Sequence, residues 1–128
     1  MGKVFAIAAG GAIGALARYF ISGLVHKSFG AVFPIGTMVV NLTGAFCVGI
    51  LWGAFESVVM PANLRLFLFV GCLGAFTTFS TFCLENLNLI RDGEYYLGGL
   101  NIILSNIFGV FLVFAGLICS RFVMTVLR

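Results

Sequence analysis

Hydrophobic and polar positions alternate along this chain on a long scale, in blocks rather than in amphipathic stripes. Four apolar segments stand out, at about Val4–Val25, Pro34–Phe55, Leu64–Ile90 and Leu97–Leu127. Each reaches the roughly 20 residues that a helix needs to cross a bilayer. Polar residues and breakers collect between them: His26–Phe33 before Pro34, Glu56–Asn63 around Pro61, and the charged turn Arg91-Asp92-Gly93-Glu94. Tyr95 and Tyr96 follow that turn, where an interfacial aromatic belt belongs. The pattern predicts an all-α integral membrane protein with four transmembrane helices in a single membrane domain spanning residues 1–128, both termini on one side.

One block breaks the apolar pattern from within. From Gly74 to Phe82 the third segment reads Gly-Ala-Phe-Thr-Thr-Phe-Ser-Thr-Phe, placing four hydroxyl residues and three aromatic rings at mid-span. Hydrocarbon holds no water to satisfy a hydroxyl or a loosened carbonyl, so such a stretch must be buried in protein or line an aqueous path. Helical pattern runs from Leu64 to about Leu73 and again from about Ser80 to Ile90. Between them, Thr77, Thr78, Ser80 and Thr81 compete with the helical ladder, and Gly74 eases departure from it. Two readings follow: a third helix broken near its middle, with exposed carbonyls that can coordinate ions, or an intact helix whose hydroxyls bond the preceding turn.

Composition sharpens this. Of 128 residues, 62% are hydrophobic and 9% charged, and the mean hydropathy is +1.20, which excludes a domain with an ordinary solvated surface. The Met1-Gly2-Lys3 start resembles a signal peptide, but the apolar run continues, predicting an uncleaved first helix. A net charge of +3, dispersed, gives no footprint for nucleic acid. Cys47, Cys72, Cys83 and Cys119 have no metal or redox spacing and read as small apolar residues, and His26 is the only histidine. No nucleophile–base pair or metal cluster can be assembled, so an enzyme is not expected. Lys3, Arg65, Arg121 and Arg128 fall on one side and Arg18, Lys27 and Arg91 on the other. With so little charge bias, the chain can insert in both orientations and pair as an antiparallel dimer.

Several residues carry candidate chemistry. Asn41 places a carboxamide in the second segment, with Thr37 one turn earlier on the same face; the pair offers uncharged donors to a small anion or an interhelical hydrogen bond. Phe79 and Phe82 share a helix face, and Phe76 continues the row. Rings favour an anion edge-on and a cation face-on. Arg18 and Glu85 are ionisable groups within or near span ends, suited to a vestibule, to snorkelling or to pairing. Asn101, Ser105 and Gly109 share a face in the fourth segment, with Asn106 and Val110 beside them. Gly10 with Gly14, and Gly49 with Gly53, are small-xxx-small pairs that allow close helix packing.

Three of these stretches together carry a resemblance to a known family. Gly10-Gly11-Ala12-Ile13-Gly14-Ala15-Leu16-Ala17-Arg18-Tyr19, then Gly36-Thr37-Met38-Val39-Val40-Asn41-Leu42, then Gly74 through Phe82 with Glu85 resemble the Fluc (CrcB) fluoride ion channels of bacteria, over essentially the whole chain. The resemblance implies an antiparallel, dual-topology homodimer in the bacterial inner membrane, with two fluoride pores that passively export toxic fluoride. It implies a structural sodium ion (Na+) at the dimer centre, held by the backbone carbonyls of Gly74 and Thr77. Asn41, Phe79 and Phe82 are the implied pore residues, with Thr37, Thr81, Ser105 and Asn106 as further pore candidates and Arg18 and Glu85 at a vestibule. The chain departs from the family pattern at Ala75, where a second glycine is common, and at Val110, where a serine is; Asn106 stands one turn from Val110. The competing class is a small dual-topology proton-coupled multidrug exporter, but such exporters use a first-span carboxylate and here that span has none.

Overall fold

The computed structural model describes residues 1–29, 32–56 and 59–126. The fourth segment's expected end at Leu127, Arg128, and parts of the first two connections lie outside the described residues. The chain is all-helical in them: α1 (Gly2–Phe29), α2 (Ile35–Phe55), a third run made of α3 (Ala62–Arg65), a π-helical stretch (Leu66–Leu73), α4 (Gly74–Phe76) and α5 (Phe79–Arg91), and finally α6 (Tyr95–Val126). Four of these units, Gly2–Phe29, Ile35–Phe55, Ala62–Arg91 and Tyr95–Val126, are long and apolar enough to cross a membrane. Pro34 and Pro61 stand immediately before α2 and α3, where a missing N–H costs nothing. The α5–α6 turn closes on Gly93 at φ +84, with Gly93 N–H donating to Ile90 O and Glu94 N–H to Leu89 O, the reciprocal pattern that a glycine beyond a helix end permits.

The helices meet along two glycine seams. In one, α1 lies against the π-helical stretch: a Cβ on Gly10 would strike Phe67 O, and one on Gly14 would strike Cys72 O. Gly71 faces back onto Gly10 and Ile7 O. In the other, α2 lies against α6: a Cβ on Gly49 would strike Val113 O, and one on Gly116 would strike Phe46 O. Backbones this close form where hydrocarbon offers no hydrophobic drive and van der Waals contact must substitute.

The regular helix expected from Leu64 to Leu73 is instead π-helical over Leu66–Leu73. The widened turns lie where Gly71 meets Gly10, and a bulged backbone reaches α1 there only because neither position carries a side chain. Among the described residues the buried apolar core is small, namely Val40, Phe76, Phe82 and Leu89, while large apolar side chains such as Phe5, Phe20, Ile107 and Phe114 stay exposed on the bundle surface. That inversion suits a lipid solvent.

Candidate functional site

The polar block of the third run sits where α4 stops. Thr77 takes φ −78, ψ 156 and Thr78 takes φ −148, ψ 124, two extended residues between Phe76 and Phe79. Thr77 N–H and Thr77 Oγ1 both donate to Leu73 O, at 3.0 and 2.9 Å. Thr78 has no helical partner on its own chain segment, and Asn41 of α2 supplies one. Asn41 Nδ2 donates to Thr78 O at 2.9 Å, and Thr78 N–H donates to Asn41 Oδ1 at 2.8 Å. The carboxamide thus stands in for a neighbouring peptide group and satisfies both backbone positions of one extended residue.

Thr78 then starts the next helix. Its Oγ1 accepts Thr81 N–H at 3.3 Å and donates to Thr81 Oγ1 at 2.9 Å, an N-terminal cap for α5. Because Thr78 N–H is turned to Asn41, Gly74 O loses the donor four residues on that an unbroken helix would give it. Gly74 itself is exposed, and a Cβ there would meet only Phe69 O, at 3.5 Å.

A cleft of about 570 Å³ opens beside this crossing, between α1, α2 and α5. Arg18, His26, Thr37, Thr78, Thr81 and Glu85 line it, so the structure brings candidate residues from three helical runs to one place. Thr37 Oγ1 donates to Glu85 Oε1 at 2.6 Å, while Glu85 Oε2 is buried with no hydrogen-bond partner among the described residues. Arg18 and Glu85 share the cleft without an ion pair. A cleft with hydroxyl donors and a guanidinium in its walls can hold a small anion.

The remaining expected residues lie outside that cleft. Asn41 is committed to the crossing. Phe79 and Phe82 stack tilted, with centroids 5.8 Å apart and planes at 34°, but Phe82 is 9% exposed and Phe79 76%. One ring packs inward and the other faces away from the subunit. The row expected to continue back to Phe76 is interrupted, because the two extended residues lie between. In α6, Ser105 Oγ donates to Asn101 Oδ1 at 3.2 Å, and Asn106 Nδ2 donates to Ile102 O of its own helix, exposed on the surface. The structure does not bring Ser105 or Asn106 to the cleft.

Two features were missed in the sequence. Asn86 is 5% exposed; its Nδ2 donates to Phe82 O at 2.7 Å, and its Oδ1 accepts from Asn101 Nδ2 at 3.1 Å, so a buried amide pair ties α5 to α6. The signal was present: two carboxamides in adjacent apolar segments need each other. The bidentate pair of Arg121 with Glu56, at 2.9 and 2.8 Å, joins α6 to the end of α2; no local pattern links residues so far apart in sequence.

Comparison with known proteins points in one direction. A family model described as CrcB-like protein, Camphor Resistance (CrcB), matches residues 5–117. Curated relatives named fluoride-specific ion channel FluC include one from Parabacteroides distasonis, 41% identical over 98% of each chain. Others come from Desulforapulum autotrophicum, 43% identical over 94% of this chain and 98% of its own, and Dehalococcoides mccartyi, 45% identical over 91% and 90%.

Proposed function

Because the chain belongs to the CrcB family, a family of multi-pass membrane proteins whose relatives' names indicate an ion channel and not an enzyme, we propose that it is a fluoride-specific channel through which fluoride leaves the cell passively. The observation that carries the reading is the polar cleft beside Thr78, set within helices that are otherwise apolar. Fluoride is small and strongly hydrated, so a path for it must replace water with donors and yet release the ion. The hydroxyls of Thr37 and Thr81 are such donors, and neither carries a fixed charge; Thr78 gives its own hydroxyl hydrogen to Thr81 Oγ1. Fluoride entering the cleft competes with the Glu85 carboxylate for the Thr37 hydroxyl. Arg18 offsets the carboxylate's repulsion of an anion. The outward-facing Phe79 and the inward Phe82 are the proposed aromatic walls of the path, with Asn41 holding the backbone between them and the cleft.

The finer assembly is part of the proposal. The third run is one span broken at Thr77–Thr78, and two copies pair antiparallel in the bacterial inner membrane. The Gly74 carbonyl deprived of its helical donor, at an open glycine, fits a hard cation that prefers oxygen ligands. Gly74 and Thr77 of each copy would hold sodium through their carbonyls, and the ion would supply a fixed positive charge at the centre of the pair. Ser105 and Asn106 remain path candidates only through the partner copy, since neither reaches this subunit's cleft.

Fluoride efflux from proteoliposomes, followed with a fluoride-selective electrode, tests the channel reading. Efflux well above that of empty liposomes is expected, and none from correctly folded protein overturns it. Cysteine accessibility in intact cells is expected to find both orientations; a single orientation removes the antiparallel pair. Exchange of sodium for a bulky organic cation is expected to lower the thermal midpoint of the purified protein, and an unchanged midpoint removes the sodium site.

A further inference from the structure

A second cleft lies at the opposite end of α2, where Glu56 and α3 come together. It measures about 450 Å³ and is lined by Trp52, Phe55, Glu56, Met60, Arg65 and Phe69 among others. Trp52 and Phe69 meet edge to face, with centroids 6.2 Å apart and planes at 87°. The Arg65 guanidinium carbon lies 6.0 Å from the Trp52 ring centre. Arg65 closes α3 at the start of the third run, and Trp52 lies in the last turn of α2. The cleft therefore stands at the apolar–polar boundary of the bundle, where arginine and tryptophan anchor to headgroups.

Its charges are not balanced. Glu56 is engaged by Arg121 through two hydrogen bonds, and among the described residues Arg65 has no carboxylate partner. The imbalance extends to this half of the subunit. Among the described residues, Lys3, Arg65 and Arg121 stand there against the single acid Glu56, while Arg18, Lys27 and Arg91 in the other half face Glu85, Asp92 and Glu94. Gly2 beside Asn63, and Arg121 beside Glu56, fix which ends lie together.

We propose that this cleft binds the headgroup of an anionic phospholipid, with its phosphate on Arg65 and the upper acyl chain along Trp52, Phe55 and Phe69. A guanidinium presents a planar fork of donors that matches a phosphodiester. The aromatic floor accepts the chain below it. The one acid in the cleft is already paired, so nothing is left to hold a headgroup ammonium, and this selects an anionic lipid over a zwitterionic one. The site is distinct from the fluoride cleft and does not depend on the channel reading.

Native mass spectrometry of the detergent-purified full chain tests this with phosphatidylglycerol, phosphatidylcholine or inorganic phosphate added. Phosphatidylglycerol is expected to be retained at one per subunit, phosphatidylcholine and inorganic phosphate not. Arg65→Gln is expected to lower retention about tenfold, Arg65→Lys less, and Lys3→Gln, which removes a charge from the same half but not from the cleft, hardly at all. Equal retention of the two lipids, unchanged retention in Arg65→Gln, or an equal loss in Lys3→Gln overturns the proposal. Should Arg65→Gln fail to fold, a photoreactive phosphatidylglycerol on the wild-type protein decides it: labelling at Trp52 or within Val59–Phe69 supports the site, and labelling elsewhere overturns it.

Discussion

Along the seam of Gly49 and Gly116, α2 and α6 meet by leaving side chains out; at the crossing of α2 with the third run, helices meet by putting one polar side chain in. In the seam, each backbone fills the space a Cβ would take, and contact is broad and nonspecific in chemistry. At the crossing, a single carboxamide makes two hydrogen bonds to one residue. The contrast separates what holds the bundle from what shapes its site. A seam tolerates no added volume, whereas the crossing tolerates no lost donor.

The comparison can be broken most severely in the seam. Gly49→Leu drives a side chain into the backbone at Val113 and Leu117, so a loss of about 3 kcal/mol or more is expected, read as loss of the monodisperse peak on size exclusion. Asn41→Asp should part the two regions. It keeps the volume, yet sets a carboxylate against Thr78 O, so fluoride flux is expected to fall about tenfold or more while the size-exclusion profile stays that of the wild type. Wild-type flux would show the crossing to be structural only.

Smaller changes sharpen the division. Phe79→Ile and Phe82→Ile are both expected to lower flux, but only the buried Phe82 should also cost stability, about 1 kcal/mol in a thermal midpoint. Thr78→Val removes the α5 cap while leaving the Asn41 bonds to its backbone, with an expected cost of about 1 kcal/mol and a modest change in flux. The exposed Glu56–Arg121 pair should matter least. The hydrogen bond from Arg121 holds the Glu56 carboxyl below its ordinary range. Its contribution is therefore present above the unfolded carboxylate range and lost as pH falls through the lowered folded value. Both groups are solvent-exposed, so Arg121→Gln is expected to leave the thermal midpoint at neutral pH almost unchanged.

How far the sequence could be read follows the same division. Four apolar blocks, and glycines four apart in two of them, suffice to predict four membrane helices and close packing, because both depend on local composition. The hydroxyl run after Gly74 marked where helical bonding is contested. What local pattern could not supply was the partner: Thr78 leaves the helix toward Asn41, 37 residues earlier, and nothing near Thr78 names that amide. The same limit hid the Arg121–Glu56 bridge, whereas the Asn86–Asn101 pair had a signal in two carboxamides of adjacent apolar segments. The π-helical Leu66–Leu73 stretch escaped for another reason, since hydrophobic blocks do not record how widely a backbone is wound and the fit to Gly10 does.

The position of Asn41 before Thr78 in the chain has a consequence for how the protein is made. Segments enter the bilayer in the order of synthesis, and domains form from the N-terminus onward. The amide that completes the extended peptide is therefore already in the membrane when Thr77 and Thr78 arrive. The backbone of Thr78 thus takes its hydrogen bonds from a residue made earlier in the chain and not from its own neighbours.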